Sequence, residues 1–526
     1  MALYLRHGCL LALLALGGCA AMPASWTGKT EQVALAADNE SALAVLTPPS
    51  GAKTDSGGFR MISAGVDGLL ARVEIIDRAR RSLDLQYYIF RGDQSGTLVA
   101  AALLRAADRG VRVRLVVDDG ETIPGDEQIL SLCAHPNIDV RIFNPFRYRG
   151  HLRLLRAGEF LFNKRRLDYR MHNKLLIADD VVALIGGRNI GDQYFQIDPN
   201  SQFGDDDVFV TGGAVPQLSQ AFDEFWNSAM TVSARVADPK HASAAALERF
   251  KSTFSAAAPE DKNSDQTFSQ RLRAEEPLHD ILSGQSQLSW ATFKLVHDSP
   301  DKREVTKGNE SGSLIYVPME DRARAVRSSM LVVSPYLVPT PSEMSLLEGE
   351  KSHGVQVKIL TNSLASAPDL IAQAGYMHYR NTLLSDGVVL YEIRPALGNS
   401  RGSGQNRAIS RHGNYALHAK IFIFDQDAVF IGSMNLDSRS KRLNTEIGLI
   451  IDSSDLASQA IKRFDALTSL DNAYQVSLRK SGNGEQLIWT TRLAQNDVEL
   501  RKEPARSGWQ RFKVRVLALA HIDREL

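Results

Sequence analysis

Two patterns of apolar positions alternate along this chain. β-Branched runs of strand length occur at Val111–Val117, Leu175–Ala178, Val181–Ile185, Val355–Leu360, Ile421–Phe424 and Ala428–Ile431. Between the first strands lie Ala- and Leu-rich stretches such as Thr97–Arg109, whose apolar residues recur at helical spacing. Helix alternating with buried strand predicts an α/β fold, each unit a mixed sheet with helices on both faces.

The pattern occurs twice. Leu85–Phe90 answers Val333–Val338, Gly110–Gly120 answers Gly354–Leu364, Asn137–Pro145 answers Gly387–Pro395, and Met171–Asn189 answers Leu417–Asn435. The near-constant offset indicates a duplicated unit. The expected architecture is two α/β/α sandwich units about a pseudo-twofold axis, at residues 59–238 and 286–480. Residues 239–285 contain helical pieces and the charged polar run Ala257–Thr267, and read as a linker or insertion.

The ends carry other signals. Residues 1–18 have a weakly basic start at Arg6 and His7 and an apolar run from Cys9 to Leu16, too short for the roughly 20 residues of a membrane span. They read as an export signal. Leu16-Gly17-Gly18-Cys19 resembles a lipobox, so Cys19 is the expected site of lipidation and membrane anchoring; a plain secretory signal is the alternative. Residues 19–58, rich in Ala, Ser, Thr, Pro and Gly, read as a flexible tether that does not pack. With Cys9 removed and Cys19 lipidated, Cys133 stands alone and forms no disulfide within the chain. In the C-terminal extension, 481–526, an amphipathic helix over Gly508–Ala520 puts Trp509, Phe512, Val516 and Leu519 near one face and Arg511 and Arg515 on another. It either lies on a membrane or packs on the core.

Composition narrows the class. Of 526 residues 44% are apolar and 23% charged, which excludes a disordered or fibrous chain. Sixty-one Lys plus Arg balance sixty-one Asp plus Glu, so any anion site is local and nucleic acid is not the expected partner. One basic cluster, Arg147–Arg170, is the exception, and suits anionic headgroups as well as a polyanion.

The chemistry sits in the second half of each repeat. His172-Asn173-Lys174 leads to Asp179 and then Gly186-Gly187-Arg188-Asn189; His418-Ala419-Lys420 leads to Asp425 and then Gly432-Ser433-Met434-Asn435. Both Asn residues follow their His by 17 positions. One His-x-Lys-x4-Asp match is expected by chance in roughly 0.04 chains of this length, so two with matching tails are not accidental. His and Lys two apart on an extended segment share a face. Two His, two Lys and two Asn converging across a twofold seam make a donor-rich cationic pocket suited to a tetrahedral phosphate, with Ser433 adding a donor. One His can attack phosphorus while the other protonates the leaving alkoxide and then deprotonates the acceptor. Each His needs an acceptor on its second ring nitrogen. Glu446 is the second-half candidate and Asp205 its first-half counterpart, with Asp206 a close rival. Asp179 and Asp425 read as structural turn caps. Without clustered Cys and neutral His, no zinc or other metal site is expected.

With this duplicated His-x-Lys-x4-Asp signature the chain resembles the phospholipase D superfamily over roughly residues 59–526. Ser82–Phe90, Arg170–Asp180 and Val332–Pro339 look like segments of bacterial cardiolipin synthases of the C type. The resemblance implies a phosphatidyltransferase needing no metal or other cofactor, which moves a phosphatidyl group onto phosphatidylglycerol to make cardiolipin. Phosphatidylethanolamine is a candidate second donor. It also implies His172 as nucleophile and His418 as acid/base. Hydrolysis by a phospholipase D or a nuclease of the superfamily uses the same chemistry with water as acceptor, and a catalytically dead lipid-binding scaffold is the reading from another class. Two features depart from the resemblance: Gly187 stands where the second half has Ser433, and an exported, lipidated start replaces the membrane-spanning helices of some cardiolipin synthases. The active site would then face the periplasm, with inner or outer membrane left open.

Overall fold

The computed structural model describes residues 30–44, 56–120, 126–149, 152–256, 277–283, 287–305, 314–397, 414–481 and 484–519. The signal segment, Cys19 and the run 257–267 lie outside them.

The first unit contains β1 (Gly57–Ile62), α1 (Gly65–Arg78), β2 (Ser82–Tyr87), α2 (Gln94–Asp108), β3 (Arg112–Asp118), β4 (Ile138–Phe143), α3 (Arg153–Phe162), β5 (Lys174–Ala178), β6 (Val182–Gly186), β7 (Asp207–Gly212) and α4 (Ala214–Asn227). Its strands run in the order β1-β7-β6-β5-β2-β3-β4, with β2, β3 and β4 parallel and the others antiparallel. The second unit contains β8 (Ser289–His297), β9 (Ser329–Val333), β10 (Gln356–Asn362), α5 (Leu370–Ser385), β11 (Val389–Ile393), β12 (Ile421–Phe424), β13 (Ala428–Gly432), β14 (Ile447–Asp452) and α6 (Ser454–Thr468). Its order, β8-β14-β13-β12-β9-β10-β11, repeats the first. Strand β8 belongs to both sheets: Ser289–Ala291 pair with β1 and Thr292–His297 with β14, joining the units into one mixed sheet.

The units also share a core. Phe59, Leu175, Ile185 and Val208 of the first pack in the same buried cluster as Leu331, Leu360, Ile421 and Leu449 of the second, with α4 and α6 contributing Phe225 and Phe464. Burying such a cluster is the main driving force that holds two sequence-distant halves in one register.

One expectation is corrected and two are made more detailed. Residues 30–44 are not a free tether: Arg114, Arg112 and Arg141 donate to the carbonyls of Gln32, Val33 and Thr30, Ala34 N donates to Asp223, Ser41 Oγ donates to Asp179, and Leu43 is fully buried. Composition signalled too little apolar surface for a core, but backbone polar groups pairing with arginines suffice to dock the segment. Of the two readings of 239–285, linker or insertion, part of the segment behaves as an insertion: the helix Ala244–Ala256 buries Leu247 and Phe250 in the first unit's core, where Leu278 and Ile281 also pack. The C-terminal end carries strands as well as the expected helix. β15 (Ala473–Ser481), β16 (Gly484–Leu493) and β17 (Asn496–Leu500) extend the second sheet beyond β11 before α7 (Gly508–Leu519) packs on α5 through Val514, Leu517 and Ala518.

Candidate active site

Two short ladders cross the seam between the units. Arg170–Met171 pairs in parallel with Asn444–Thr445, and Gln202–Gly204 pairs in parallel with Tyr415–Leu417. Each ladder runs straight into a His on one strand and a carboxylate on the other. His172 N donates to Thr445 O at 3.0 Å, just before Glu446; His418 N donates to Gly204 O at 2.8 Å, just before Asp205.

The pairs are therefore crossed. His172 Nδ1 lies 2.9 Å from Glu446 Oε2, and His418 Nδ1 lies 2.6 Å from Asp205 Oδ2. The repeat alignment alone suggests a carboxylate for the His of its own half; the seam ladders give each His the carboxylate of the other half. With an anionic acceptor, Nδ1 is the protonated nitrogen, and the ring of His418 also has Lys420 Nζ at 3.0 Å from Nδ1 and 3.4 Å from Nε2. Asp206, the rival, is instead bound by Arg463 of α6 at 2.9 Å.

His172, His418, Asn189 and Asn435 line one cavity of about 240 Å³, together with Tyr88, Tyr336, Val338, Asp369, Asp437 and Arg439. Tyr88 and Tyr336 are equivalent in the repeat and were missed as site residues, although the alignment of Leu85–Phe90 with Val333–Val338 already set them opposite each other. Tyr88 meets His172 edge to face with centroids 5.2 Å apart, while Tyr194 meets His418 edge to face and Phe203 stacks on it. Aromatic walls fix both imidazole planes. Lys174 and Lys420 are buried beneath their histidines, each donating to the carbonyl of the His two residues earlier. Asn189 Oδ1 accepts from Ile89 N, and its side chain lines the cavity beside Tyr194.

Electrostatics follow from burial. His172 lies well below its ordinary pKa because it is desolvated and faces Lys174 and Lys420; His418 is lowered by burial and Lys420 against the pull of Asp205. Burial pushes Lys420 down to about 8 and Glu446 up to about 7. Burial alone would raise Asp205 too, but His418 and Lys420 outweigh it and hold the carboxyl below the usual carboxylate range. An anion bound there would offset the lysine charges and raise both imidazoles.

The other motif residues sit outside the cavity. Ser433 is corrected as a phosphate donor: its buried hydroxyl donates to Glu446 and accepts from Ile447 N, so it stands behind the carboxylate. Its counterpart Gly187 is explained by the same geometry, since a Cβ there would collide with the Asp205 carboxylate. Asp179 accepts from the backbone N–H groups of Arg80, Arg81 and Ser82, and Asp425 from those of Arg327, Ser328 and Ser329. Both have positive φ, near 54° and 52°, tightening the hairpin turn that follows each lysine strand. Part of the basic cluster is neutralised within the fold: Arg149 pairs with Asp119 and Asp238, Arg156 with Asp119, and Arg166 with Glu159, while Arg165 stays exposed. That removes part of the local argument for a polyanion.

The family model described as "Cardiolipin synthase, PLD-like domain" matches residues 73–226 and 321–468, one segment in each unit. The chain is 37% identical to cardiolipin synthase C of Escherichia coli K12 over 89% of its own length and 95% of the relative's. It is 24% identical to the major cardiolipin synthase of Bacillus subtilis 168 over 81% of its length and 72% of the relative's. Among solved structures, phosphatidylserine synthase of Haemophilus influenzae Rd KW20 superposes with a TM-score of 0.53 at 13% identity, covering 80% of this chain and 87% of that one, a likeness of fold. With a duplicated sheet, a shared seam and two His-x-Lys motifs lining one cavity, this chain belongs to the PLD-like cardiolipin synthase family.

Proposed function

We propose that the protein is a phosphatidyltransferase that makes cardiolipin, moving a phosphatidyl group from a phospholipid donor onto the free glycerol hydroxyl of phosphatidylglycerol. The observation that carries this reading is the pair of crossed His–carboxylate contacts around a single cavity, in a chain of this family. His172, neutral in the buried pocket, attacks phosphorus through Nε2 while Glu446 holds its Nδ1–H. The P–O bond to the donor's alcohol breaks and His418 supplies the proton that releases it. His418 then takes the proton of the acceptor hydroxyl, whose oxygen attacks phosphorus and expels His172. Lys174, Lys420, Asn189 and Asn435 hold the non-bridging oxygens, whose charge grows in each transition state.

Phospholipids are the substrates; phosphatidylglycerol as acceptor, with phosphatidylglycerol or phosphatidylethanolamine as donor, is the finer assignment. Among the described residues no helix is long and apolar enough to cross a membrane. The proposed anchor is the lipidated Cys19, with the site facing the periplasm. The test is to incubate the purified protein with phosphatidylglycerol, with and without phosphatidylethanolamine, and read the lipids by mass spectrometry. Cardiolipin is expected. Phosphatidic acid alone would replace the transferase by a hydrolase.

A further inference from the structure

Helix α3 is inverted. Leu154, Leu161 and Phe162 fall at i, i+7 and i+8 on one face of a helix, Leu155 borders it, and of the large apolar side chains only the half-buried Phe160 lies on the other side. In a surface helix of a globular protein that apolar face turns to the core. Here Leu154 is 87% and Leu161 73% exposed, with Leu155 and Phe162 also exposed. The polar face turns inward: Glu159 is buried, accepting from the N–H groups of Arg147 and Tyr148, and Arg156 stacks over Phe146. These contacts fix the helix in that orientation.

Helix α7 shows the same economy by another route. It packs on α5 through Val514, Leu517 and Ala518, which leaves Trp509, Phe512 and Val516 as a second, exposed apolar stripe. Trp509 and Phe512 stack at 5.1 Å, and Lys513 lies over the Trp509 ring. On the helical wheel Lys513 and Arg515 border this stripe on opposite sides.

Both helices are tied to segments that line the cavity, α3 in the first unit and α7 in the C-terminal extension. Helix α3 follows the carboxyl end of β4 and leads, through Asp168, to His172; Asp168 is held at 2.7 Å by Arg439, which lines the cavity. Helix α7 is tied to the loop after β10 by Gln510 and Arg506, which donate to the carbonyls of Leu364 and Ala365; the same connection delivers Asp369 and Ala372 to the cavity. The parallel strands β2–β4 and β9–β11 carry their carboxyl ends toward this site.

We infer that α3 and α7 form a membrane-docking surface, each setting its exposed apolar stripe into the headgroup region of an anionic bilayer beside the cavity mouth. The occupant is a lipid surface because cations border the stripes: Lys513 and Arg515 on α7, and the exposed Arg165 just after α3. Apolar insertion flanked by Lys and Arg is what an interfacial helix on anionic lipid requires. The inference rests on the proposed function only in that the substrate is a membrane lipid.

The test uses the full chain and vesicles of equal phosphatidylglycerol and phosphatidylcholine, with brominated acyl chains as quencher. Two signals isolate the helices: the tryptophan fluorescence lost in Trp509→Phe, and that gained in Phe162→Trp. Both are expected to be quenched on anionic vesicles, and at least fivefold less on pure phosphatidylcholine. A double variant, Leu154→Asp with Phe162→Asp, is expected to lose at least tenfold in turnover on vesicles while staying within twofold on detergent-dispersed lipid. The quenching needs no turnover, so failure of the enzymatic reading leaves it interpretable. Unquenched signals at both positions, or a variant equally active on vesicles, would overturn the inference. So would a wild-type dimer in solution that the double variant makes monomeric, which would assign the stripes to a second copy of the chain.

Discussion

Replacing Asp205 by Asn removes a negative charge 2.6 Å from Nδ1 of His418 while keeping the side chain's shape. The charge matters when His418 carries a proton. An ion pair at about 4 Å in an effective dielectric of about 20 is worth about 4 kcal/mol, and each 1.36 kcal/mol is about tenfold in rate. The expected loss in turnover on phosphatidylglycerol is thus about a thousandfold. The leaving group makes the assignment specific. A phosphatidyl ester of p-nitrophenol releases a phenolate that needs no proton, so Asp205→Asn should retain a burst of nitrophenolate within about tenfold of the wild-type rate, followed by slow turnover. Glu446→Gln acts on His172, the proposed attacking group, and should lose the burst itself. Stopped-flow absorbance reads both. Loss of the burst in Asp205→Asn with its survival in Glu446→Gln would refute the crossed pairing, because each carboxylate would then serve the His of its own unit.

Three other outcomes follow from the same geometry. The pH profile of kcat/KM on detergent-dispersed lipid should be a narrow bell. Its acid limb rises as Glu446 ionises near 7, and its alkaline limb falls as Lys420 loses its proton near 8; Glu446→Gln should remove the acid limb, and no change in that limb would exclude Glu446 as its source. Gly187→Ala should push the Asp205 carboxylate off His418 and reproduce the Asp205→Asn burst pattern, with about 1–3 kcal/mol of destabilisation from overpacking; wild-type turnover would contradict the proposed reason for glycine there. Asp179→Ala strands three backbone N–H groups and should cost about 3 kcal/mol in urea unfolding, while kcat of the folded fraction stays within a fewfold. A specific loss of kcat would place Asp179 in the chemistry.

Much of this was legible in the sequence, for identifiable reasons. Val355–Leu360 and Ile421–Phe424 read as strands because their neighbours bury both faces, and the structure moves those boundaries by at most two residues. The offset between repeats gave the architecture because two copies of one pattern must fold alike. The crossing was not legible. It depends on two ladders of two and three residues joining segments more than 200 positions apart, and nothing local in Arg170–Met171 or Gln202–Gly204 names its partner. The exchange of Ser433 for Gly187 looked like a lost hydroxyl and is instead the room that Asp205 needs. Residues 30–44 looked unpackable by composition, which cannot register carbonyls that meet arginines. The apolar stripe on α7 was visible from its spacing, but that the helix would pack by its other face was not.

The central claim is that imidazoles from both units act on one phosphorus atom, with His172 forming the bond to it. It is tested most directly by acid-free quenching of the protein during turnover of phosphatidylglycerol, followed by peptide mass spectrometry. The account predicts a phosphatidyl adduct on His172 in the wild type, and neither adduct nor cardiolipin in His172→Ala. An adduct on His418, or cardiolipin formed at the wild-type rate by His172→Ala, would contradict it.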